Sequence, residues 1–229
     1  MEPAQDQLLD LALSSRALQE KLTYCTRYLE SDPNNADVWE YKGNISVVLG
    51  QNDEANACLE KFAELIDETS YLSAWNKFID EQFEDALIAV NNALDKRPDY
   101  VRAWILKGYT LVNLKSPEQS LQCFDAALEL STNKLQEMNA LVGKAEALIR
   151  LERFPEAAEW GRKVLDIDPV NVDSLKCRGL CLYELRGYQE AVECFLTLLD
   201  IDPNNEIAKD TLTLIEMRTG KKIRRNPKR

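Results

Sequence analysis

A motif that recurs at a fixed interval of 34 residues restricts the possible folds more than any other feature of this sequence. Asp-Pro-Asn-Asn occurs at 32–35 and again at 202–205, a separation of 170 residues or five such intervals. Pro169 lies one interval of 34 residues before Pro203. Internal repetition with this period is typical of solenoids and other repeat architectures. The sequence therefore predicts a stack of similar units and not a single globular core.

Residue types also recur at matching offsets inside the units. One column holds small residues, and a second column twelve residues later holds alanine or serine. The first column is Gly43, Ala74, Gly108, Ala145 and Gly179, and the second is Ala55, Ala86, Ser120, Ala157 and Ala191. Glycine inside a helix costs about 1 kcal/mol relative to alanine, so its recurrence in register indicates close helix–helix approach. The columns predict antiparallel helix pairs in tight contact.

The local patterns are helical throughout. Apolar residues in 106–114 have helical spacing and do not alternate. Pro117 and Pro155 each precede an acidic residue and an apolar run, as first-turn prolines do. The Asp-Pro dipeptides are unfavourable inside helices and mark the connections between pairs.

Thirteen helices are predicted from these signals. A weaker N-terminal pair occupies about 4–17 and 19–30, and a last helix occupies about 205–219. The first helices of five full pairs lie near 36–49, 71–79, 100–113, 135–151 and 172–185, and the second helices near 52–66, 83–95, 117–130, 154–166 and 188–200. The second pair lacks three residues, so its first helix should be short. An insertion at 131–137 should extend the following turn or helix.

The columns also carry a family resemblance. Trp39 and Trp104 each lie four residues before a column glycine, and an aromatic residue precedes the later alanine by three at Phe83, Phe154 and Tyr188. This combination resembles the tetratricopeptide repeat (TPR) family, whose pattern of Trp, Leu-Gly, Tyr, Ala, Phe, Ala and Pro extends over about 34 residues. The resemblance covers about 36–203.

The resemblance implies an all-α fold: a right-handed α-solenoid of antiparallel helix pairs, with about five to six TPR units and a C-terminal capping helix. We therefore divide the chain into a partial or divergent N-terminal pair (1–35), five units (36–203), a capping helix (204–220) and a basic tail (221–229).

The composition argues against an enzyme. The sequence contains no histidine, which removes histidine-dependent triads, dyads and general bases. The eight glycines are scattered singly, so no glycine-rich phosphate loop is present. Cys177 and Cys181 share a helix face, but a structural zinc site needs about four ligands. We therefore predict no catalytic residues, no cofactor and no metal site, and we interpret the six cysteines as structural.

Charge is distributed unevenly along the chain. The net charge is −11, but the tail 221–229 carries six basic and no acidic residues, which leaves 22 basic and 39 acidic residues elsewhere, a net of −17. An acidic body is unsuited to binding nucleic acid. No apolar run is long enough to span a membrane, and no targeting signal is apparent. We expect a cytoplasmic monomer or weak homo-oligomer. The tail is a disordered solubilising end, a contact for an acidic partner or nucleic acid, or an import signal.

A concave groove is the binding surface that the TPR resemblance implies, because the first helices of TPR pairs line such a groove and hold partner peptides or helices there. The positions that correspond here are Asn44, Arg102, Ile105, Tyr109, Val112, Val142, Ile149, Lys176, Leu180 and Tyr183. Most of them are apolar, which predicts a peptide or amphipathic helix as partner, and the acidic body favours a basic one. The alternative is that some of these side chains pack against the next helix.

One TPR sub-class can be tested directly on the sequence. Chaperone-binding TPR domains hold a C-terminal carboxylate with a clamp of lysine, asparagine and arginine side chains. Asn44 matches the first clamp asparagine, but Glu40 stands in place of its lysine partner and Leu106 stands in place of the clamp arginine. We therefore predict a non-enzymatic interaction scaffold or adaptor without this clamp. The alternatives are a regulatory subunit of an enzyme complex and a self-assembling structural protein.

Overall fold

Residues 4–66 and 69–223 are described by the computed structural model, and all regular secondary structure within them is α-helical. The thirteen helices of this part of the chain are α1 (Gln5–Ser14), α2 (Leu18–Ser31), α3 (Ala36–Val48), α4 (Asn52–Leu65), α5 (Thr69–Ile79), α6 (Phe83–Lys96), α7 (Val101–Asn113), α8 (Pro117–Leu130), α9 (Lys134–Arg150), α10 (Phe154–Ile167), α11 (Val172–Glu184), α12 (Tyr188–Ile201) and α13 (Glu206–Thr219). The predicted all-α solenoid of helix pairs is confirmed.

The two irregular units differ from the others as their lengths predicted. Helix α5, in the unit that lacks three residues, has 11 residues, whereas the corresponding helices α3, α7 and α11 have 13 each. Helix α9 follows the insertion and has 17 residues. The inserted residues therefore lengthen the helix and not only the turn before it.

The turn inside each full pair depends on one residue in the left-handed conformation. These residues are Gly50, Glu81, Lys115, Glu152 and Arg186, with φ between 56° and 70°. Only Gly50 is a glycine, and for other residues this conformation costs roughly 1–2 kcal/mol. Four of the five turns therefore hold a mild backbone strain.

Asparagine caps begin several of the first helices. The side chains of Asn35, Asn171 and Asn205 accept hydrogen bonds from backbone amides three residues ahead, at 3.2, 3.0 and 3.1 Å. Each of these residues is the last of an Asp-Pro-x-Asn turn. The repeated motif thus ends one pair at its proline and starts the next at its asparagine.

The glycine columns allow the helices to approach closely, as predicted. A methyl group on Gly108 of α7 would lie 2.6 Å from the ring of Phe124, and one on Gly143 of α9 would lie closer still. Phe124 is completely buried between these two glycines. Its ring therefore joins the third unit to the fourth.

The array curves until its N-terminal part meets the fourth unit. Residues of α1, α2 and α3 share one hydrophobic cluster with Leu135, Met138 and Leu141 of α9 and Val164 of α10. The backbones of α3 and α9 also approach each other directly. Contacts in a simple solenoid join only neighbouring repeats, so this closure is a specific feature of the chain.

Candidate partner-binding cavity

A cavity of about 730 Å³ lies between the first helices of the units. Its walls come from α3, α5, α7, α9 and α11, together with the start of α2 and the loop between α10 and α11. This volume lies in the range of clefts that bind ligands and partner segments.

Eight of the ten predicted partner-binding residues line this cavity. They are Asn44, Arg102, Ile105, Tyr109, Val142, Ile149, Lys176 and Leu180. The apolar members come from α7, α9 and α11. Their role in binding a partner stays a prediction.

The other two predicted residues are buried and offer no surface to a partner. Val112 is 5% exposed and packs with Phe124 and Ala147. Tyr183 is 8% exposed, lies 6.0 Å from the ring of Tyr188 and is covered by the guanidinium of Arg218 at 5.1 Å. The expectation that both face the groove is wrong, because α9 covers the end of α7 and α13 covers the end of α11.

An aromatic wall from α5 was not predicted. Tyr71, Trp75 and Phe78 all line the cavity. The ring centroids of Trp75 and Phe78 are 6.3 Å apart, and those of Tyr71 and Trp75 are 6.5 Å apart. No groove residue was predicted in this unit, whose missing residues disturb the repeat register. The spacing of three and four residues between these aromatics is the signal that was available.

Arg102 is already engaged within the protein. It forms ion pairs with Asp37 and with Glu40 (2.8 Å), and its guanidinium lies 4.7 Å from the centre of the Phe62 ring. Only 11% of the Arg102 side chain is exposed. Burial of the Glu40 carboxyl raises its pKa, although Arg102 acts in the opposite direction. This arginine therefore neutralises two carboxylates of α3 and is not available to a ligand carboxylate.

Glu146 and Asp173 line the cavity together with Tyr109. Burial raises the pKa of Tyr109 well above its usual value, and the neighbouring carboxylates of Glu146 and Asp173 raise it further. Asp173 pairs with Lys176 at 3.2 Å, whereas the contact of Glu146 with Arg150 is long, at 3.8 Å. The phenol stays protonated at neutral pH, and of the two carboxylates Glu146 has the more distant counter-ion.

A buried polar cluster closes one side of the cavity. The Lys21 ammonium group pairs with Asp168 at 2.9 Å and donates hydrogen bonds to the carbonyls of Ala12 and Leu13, both at 2.8 Å. The Tyr41 hydroxyl donates to Asp168 at 2.8 Å and accepts from Lys21 at 3.1 Å. Lys21 is completely buried. We call Lys21, Tyr41 and Asp168 the clasp, and all three line the cavity.

The six cysteines are buried and unpaired. Burial raises the pKa of the Cys177 thiol to about 12 and that of Cys181 to about 11, so both stay protonated at neutral pH. In residues 4–66 and 69–223, no group of three or more potential metal ligands is present.

The structure bears on the expected lack of a membrane span and on the basic tail only within the described residues. No helix in the described part of the chain is long and apolar enough to cross a membrane. Of the basic tail, 224–229 lies outside the described residues.

Comparison with known proteins identifies the repeat. Sequence profiles described as "Tetratricopeptide repeat" match residues 74–134, 107–172 and 178–205. Together these ranges cover more than half of the 229 residues. The chain belongs to the tetratricopeptide repeat family. TPR units are protein–protein interaction modules, which indicates that this chain interacts with another protein.

Curated relatives share part of this TPR array. The mouse and human proteins named "DnaJ homolog subfamily C member 7" are each 26% identical to it over 179 residues, which is 72% of this chain. The match covers 36% of each relative, so the chain spans about a third of their length.

Solved structures show the same TPR architecture. The chain resembles YrrB, described as "a TPR protein with an unusual peptide-binding site", with a TM-score of 0.55 and 20% identity over 82% of this chain and 97% of that one. It resembles yeast Tom70 with a TM-score of 0.56 and 22% identity, covering 94% and 47% of the two chains. For the Cut9–Hcn1 hetero-tetramer of APC/C, the TM-score is 0.60 at 16% identity, with coverage of 86% and 39%. These similarities support the fold.

Proposed function

We propose that this TPR protein is a non-enzymatic scaffold or adaptor that binds a segment of another protein in the cavity. The observation that carries the proposal is the apolar lining, which includes Val47 at 55% exposure beside the aromatic wall. Uncovered apolar surface of this kind commonly marks a protein contact. The partner segment is a peptide or one apolar face of an amphipathic helix.

The charges around Tyr109 support a basic partner segment. Glu146 and Asp173 face the cavity from two different helices. Because Lys176 already pairs with Asp173, a lysine or arginine of the partner would gain mainly from Glu146 and from the ring face of Tyr109. We propose an amphipathic segment with apolar anchors and at least one basic side chain.

The engagement of Arg102 supports the absence of a carboxylate clamp. This arginine stands in the third unit, where it could substitute for the clamp lysine, but it pairs with Asp37 and Glu40. A partner carboxylate would have to displace two internal carboxylates to reach it. We therefore propose that this chain does not recognise free C-terminal carboxylates.

Binding to synthetic peptides tests the proposal. Basic, neutral and acidic amphipathic peptides of equal length and equal apolar content are compared by fluorescence anisotropy. We expect the basic peptides to bind most tightly and Val47→Arg to weaken binding by about tenfold or more. Ile88→Arg is the matched control, because Ile88 is 61% exposed on α6 and lies outside the cavity lining. Equal binding by both variants would contradict the proposal.

Self-association is a second candidate, supported by the last helix. On α13, Ile207 and Leu214 are each 46% exposed and Met217 is 76% exposed. This helix corresponds to the first helix of a unit, and its outer face is left uncovered within the described chain. If this face joins two copies, sedimentation velocity will show a concentration-dependent dimer that Met217→Glu abolishes.

A further inference from the structure

A second groove, of about 620 Å³, lies between the second helices of two neighbouring units, α6 and α8. Its floor is α7, which contributes Trp104, Lys107 and Leu111. With 3.6 residues per turn, these positions lie on the side of α7 opposite to Ile105 and Tyr109, which line the cavity. The two linings share no residue. We name this separate site the outer groove.

Lys107 is the only charged residue among those that line the outer groove in the described part of the chain. Its ammonium group lies 5.2 Å from the centre of the Trp104 ring. The walls carry neutral carboxamides, Asn91 from α6 and Gln119 and Gln122 from α8. The lining therefore contains a positive charge and no carboxylate to balance it.

The residue directly before the small residue of the first column is cationic in four of the five units. Three of these cations form an ion pair with a carboxylate of a neighbouring second helix. The pairs are Lys42 with Glu54 at 2.6 Å, Arg178 with Glu190 at 2.8 Å, and Lys144 with Asp125. The fourth cation is Lys107, which forms no ion pair within residues 4–66 and 69–223. The missing partner is thus peculiar to this unit.

Two residue changes between units explain the missing counter-ion. Glu54 and Glu190 each stand directly before the alanine of the second column, and Gln119 holds that place in the third unit. Asp125 stands five residues after the second column, and Asn91 holds the equivalent place on α6. An amide has nearly the shape of the acid that it replaces but carries no charge. The cation therefore keeps its position without either possible partner.

We propose that the outer groove binds an extended segment of a partner protein that carries one acidic side chain among apolar residues. The partner carboxylate pairs with Lys107 and supplies the counter-ion that the other units provide internally. Each wall carboxamide has both donors and an acceptor, so the walls match the N–H and C=O groups of an extended backbone. Trp104 and Leu111 offer the apolar contact. A single acidic residue is favoured over a run of them, because the acidic body repels a highly charged segment.

The outer groove extends the proposed function without depending on it. The cavity is proposed for a basic segment, whereas the outer groove selects an acidic one on the opposite side of α7. The two sites can therefore hold different parts of one partner, or two partners, at the same time.

Labelled peptides that differ at one residue test this proposal. Short peptides of valine, leucine and serine, with glutamate, glutamine or lysine at the centre, are compared by fluorescence anisotropy. We expect the wild type to bind the glutamate peptide about tenfold more tightly than the glutamine peptide, since only the former gains a charge-assisted hydrogen bond. Equal affinities for these two peptides, or no binding of the glutamate peptide at millimolar concentration, would overturn the proposal.

Asn91→Asp restores an internal counter-ion, as in the fourth unit. The new carboxylate should pair with Lys107 and remove the preference for the glutamate peptide, while circular dichroism shows an unchanged helical fold. Asn92→Asp is the matched control, because it adds the same charge at the next residue, which is exposed and lies outside the lining of the outer groove. We expect this variant to keep the wild-type preference. A preference that both variants keep, or that both lose, contradicts the proposed role of Lys107.

Removal of the cation gives a second test. Lys107→Met keeps an apolar side chain, and we expect the glutamate and glutamine peptides to bind this variant equally. Lys144→Met is the control, since Lys144 holds the same repeat position but already pairs with Asp125. Val47→Arg, in the cavity, should weaken binding of basic peptides and leave the glutamate preference intact. If Val47→Arg loses that preference and Lys107→Met keeps it, the assignment to the outer groove is wrong.

Discussion

The ring of Phe124 fills the space that a side chain on Gly143 would need. Gly143→Ala therefore forces the ring or a helix to move, and we expect a loss of about 1–3 kcal/mol in the free energy of unfolding. Urea denaturation measures this loss. In the matched variant Gly43→Ala, the added methyl group lies 3.3 Å from Cys58. The higher helix propensity of alanine offsets the cost of this tight contact, so we expect a smaller loss in the free energy of unfolding. Equal losses in the two variants would contradict the role of Phe124.

The strained turns predict four stabilising substitutions. At these four positions, Glu81, Lys115, Glu152 and Arg186, a residue with a side chain is held in the left-handed conformation, which glycine adopts without that steric cost. The steric cost exceeds the entropy cost of introducing glycine by up to about 1 kcal/mol. We expect each change to raise the melting temperature modestly. Gly50→Ala should lower it, and this change is purely conformational because no atom lies within 4 Å of the added methyl group. A lower melting temperature for all four glycine variants would refute this account.

Replacement of Arg102 separates buried from exposed ion pairs. Arg102→Ala leaves Asp37 and Glu40 without their counter-ion in a largely buried site, and we expect a loss of about 3–5 kcal/mol. Arg153→Ala removes an ion pair with Glu156 in which both side chains are about half exposed, and we expect a far smaller loss because solvent screens this pair. Chemical denaturation of both variants tests the contrast, which fails if the two losses are similar.

The buried thiols predict lower stability in alkali. Burial raises the pKa of Cys25 to about 12 and that of Cys123 to about 11, from 9.0 in the unfolded chain. The unfolded chain therefore loses these protons first, and stability that is complete below pH 9 falls as the pH rises toward the native values. Each such thiol contributes up to about 1.4 kcal/mol per pH unit. Lys21, whose pKa burial lowers, has the opposite effect.

Unfolding in guanidinium between about pH 8 and 10 checks this dependence. In Cys25→Ala, the free energy of unfolding should fall less steeply with pH than in the wild type, because the contribution of the Cys25 thiol to this slope is lost. A stability that rises continuously across this range would show that Lys21 outweighs the thiols.

The helices were predictable because their signals are local. Pro117 is the first residue of α8, and α13 begins within one residue of the expected position, as the sequence indicates. The short α5 and the long α9 also follow from counting residues against the repeat. The glycine column indicated close approach, although Gly143, which lies outside that column, makes the closest one.

The cavity was predictable only in part, because its walls depend on curvature. Tyr109 and Leu180 line it, as the TPR resemblance implies, but Val112 and Tyr183 are covered by neighbouring helices whose angles the sequence does not reveal. Lys21 and Asp168 belong to different units and have no shared spacing signal. Their pairing follows from the closure of the array.

This closure changes how the chain should fold. The stability of an open repeat array is approximately a sum of unit and nearest-neighbour contributions, and folding can spread from any unit. Here the first and fourth units also stabilise each other, so a stretch of more than 120 residues must be brought together before the Tyr41–Asp168 contact forms. Contacts of such high sequence separation slow folding. We therefore expect the units to assemble first, and ring closure to follow as a separate, slower step that makes unfolding more cooperative than in an open solenoid.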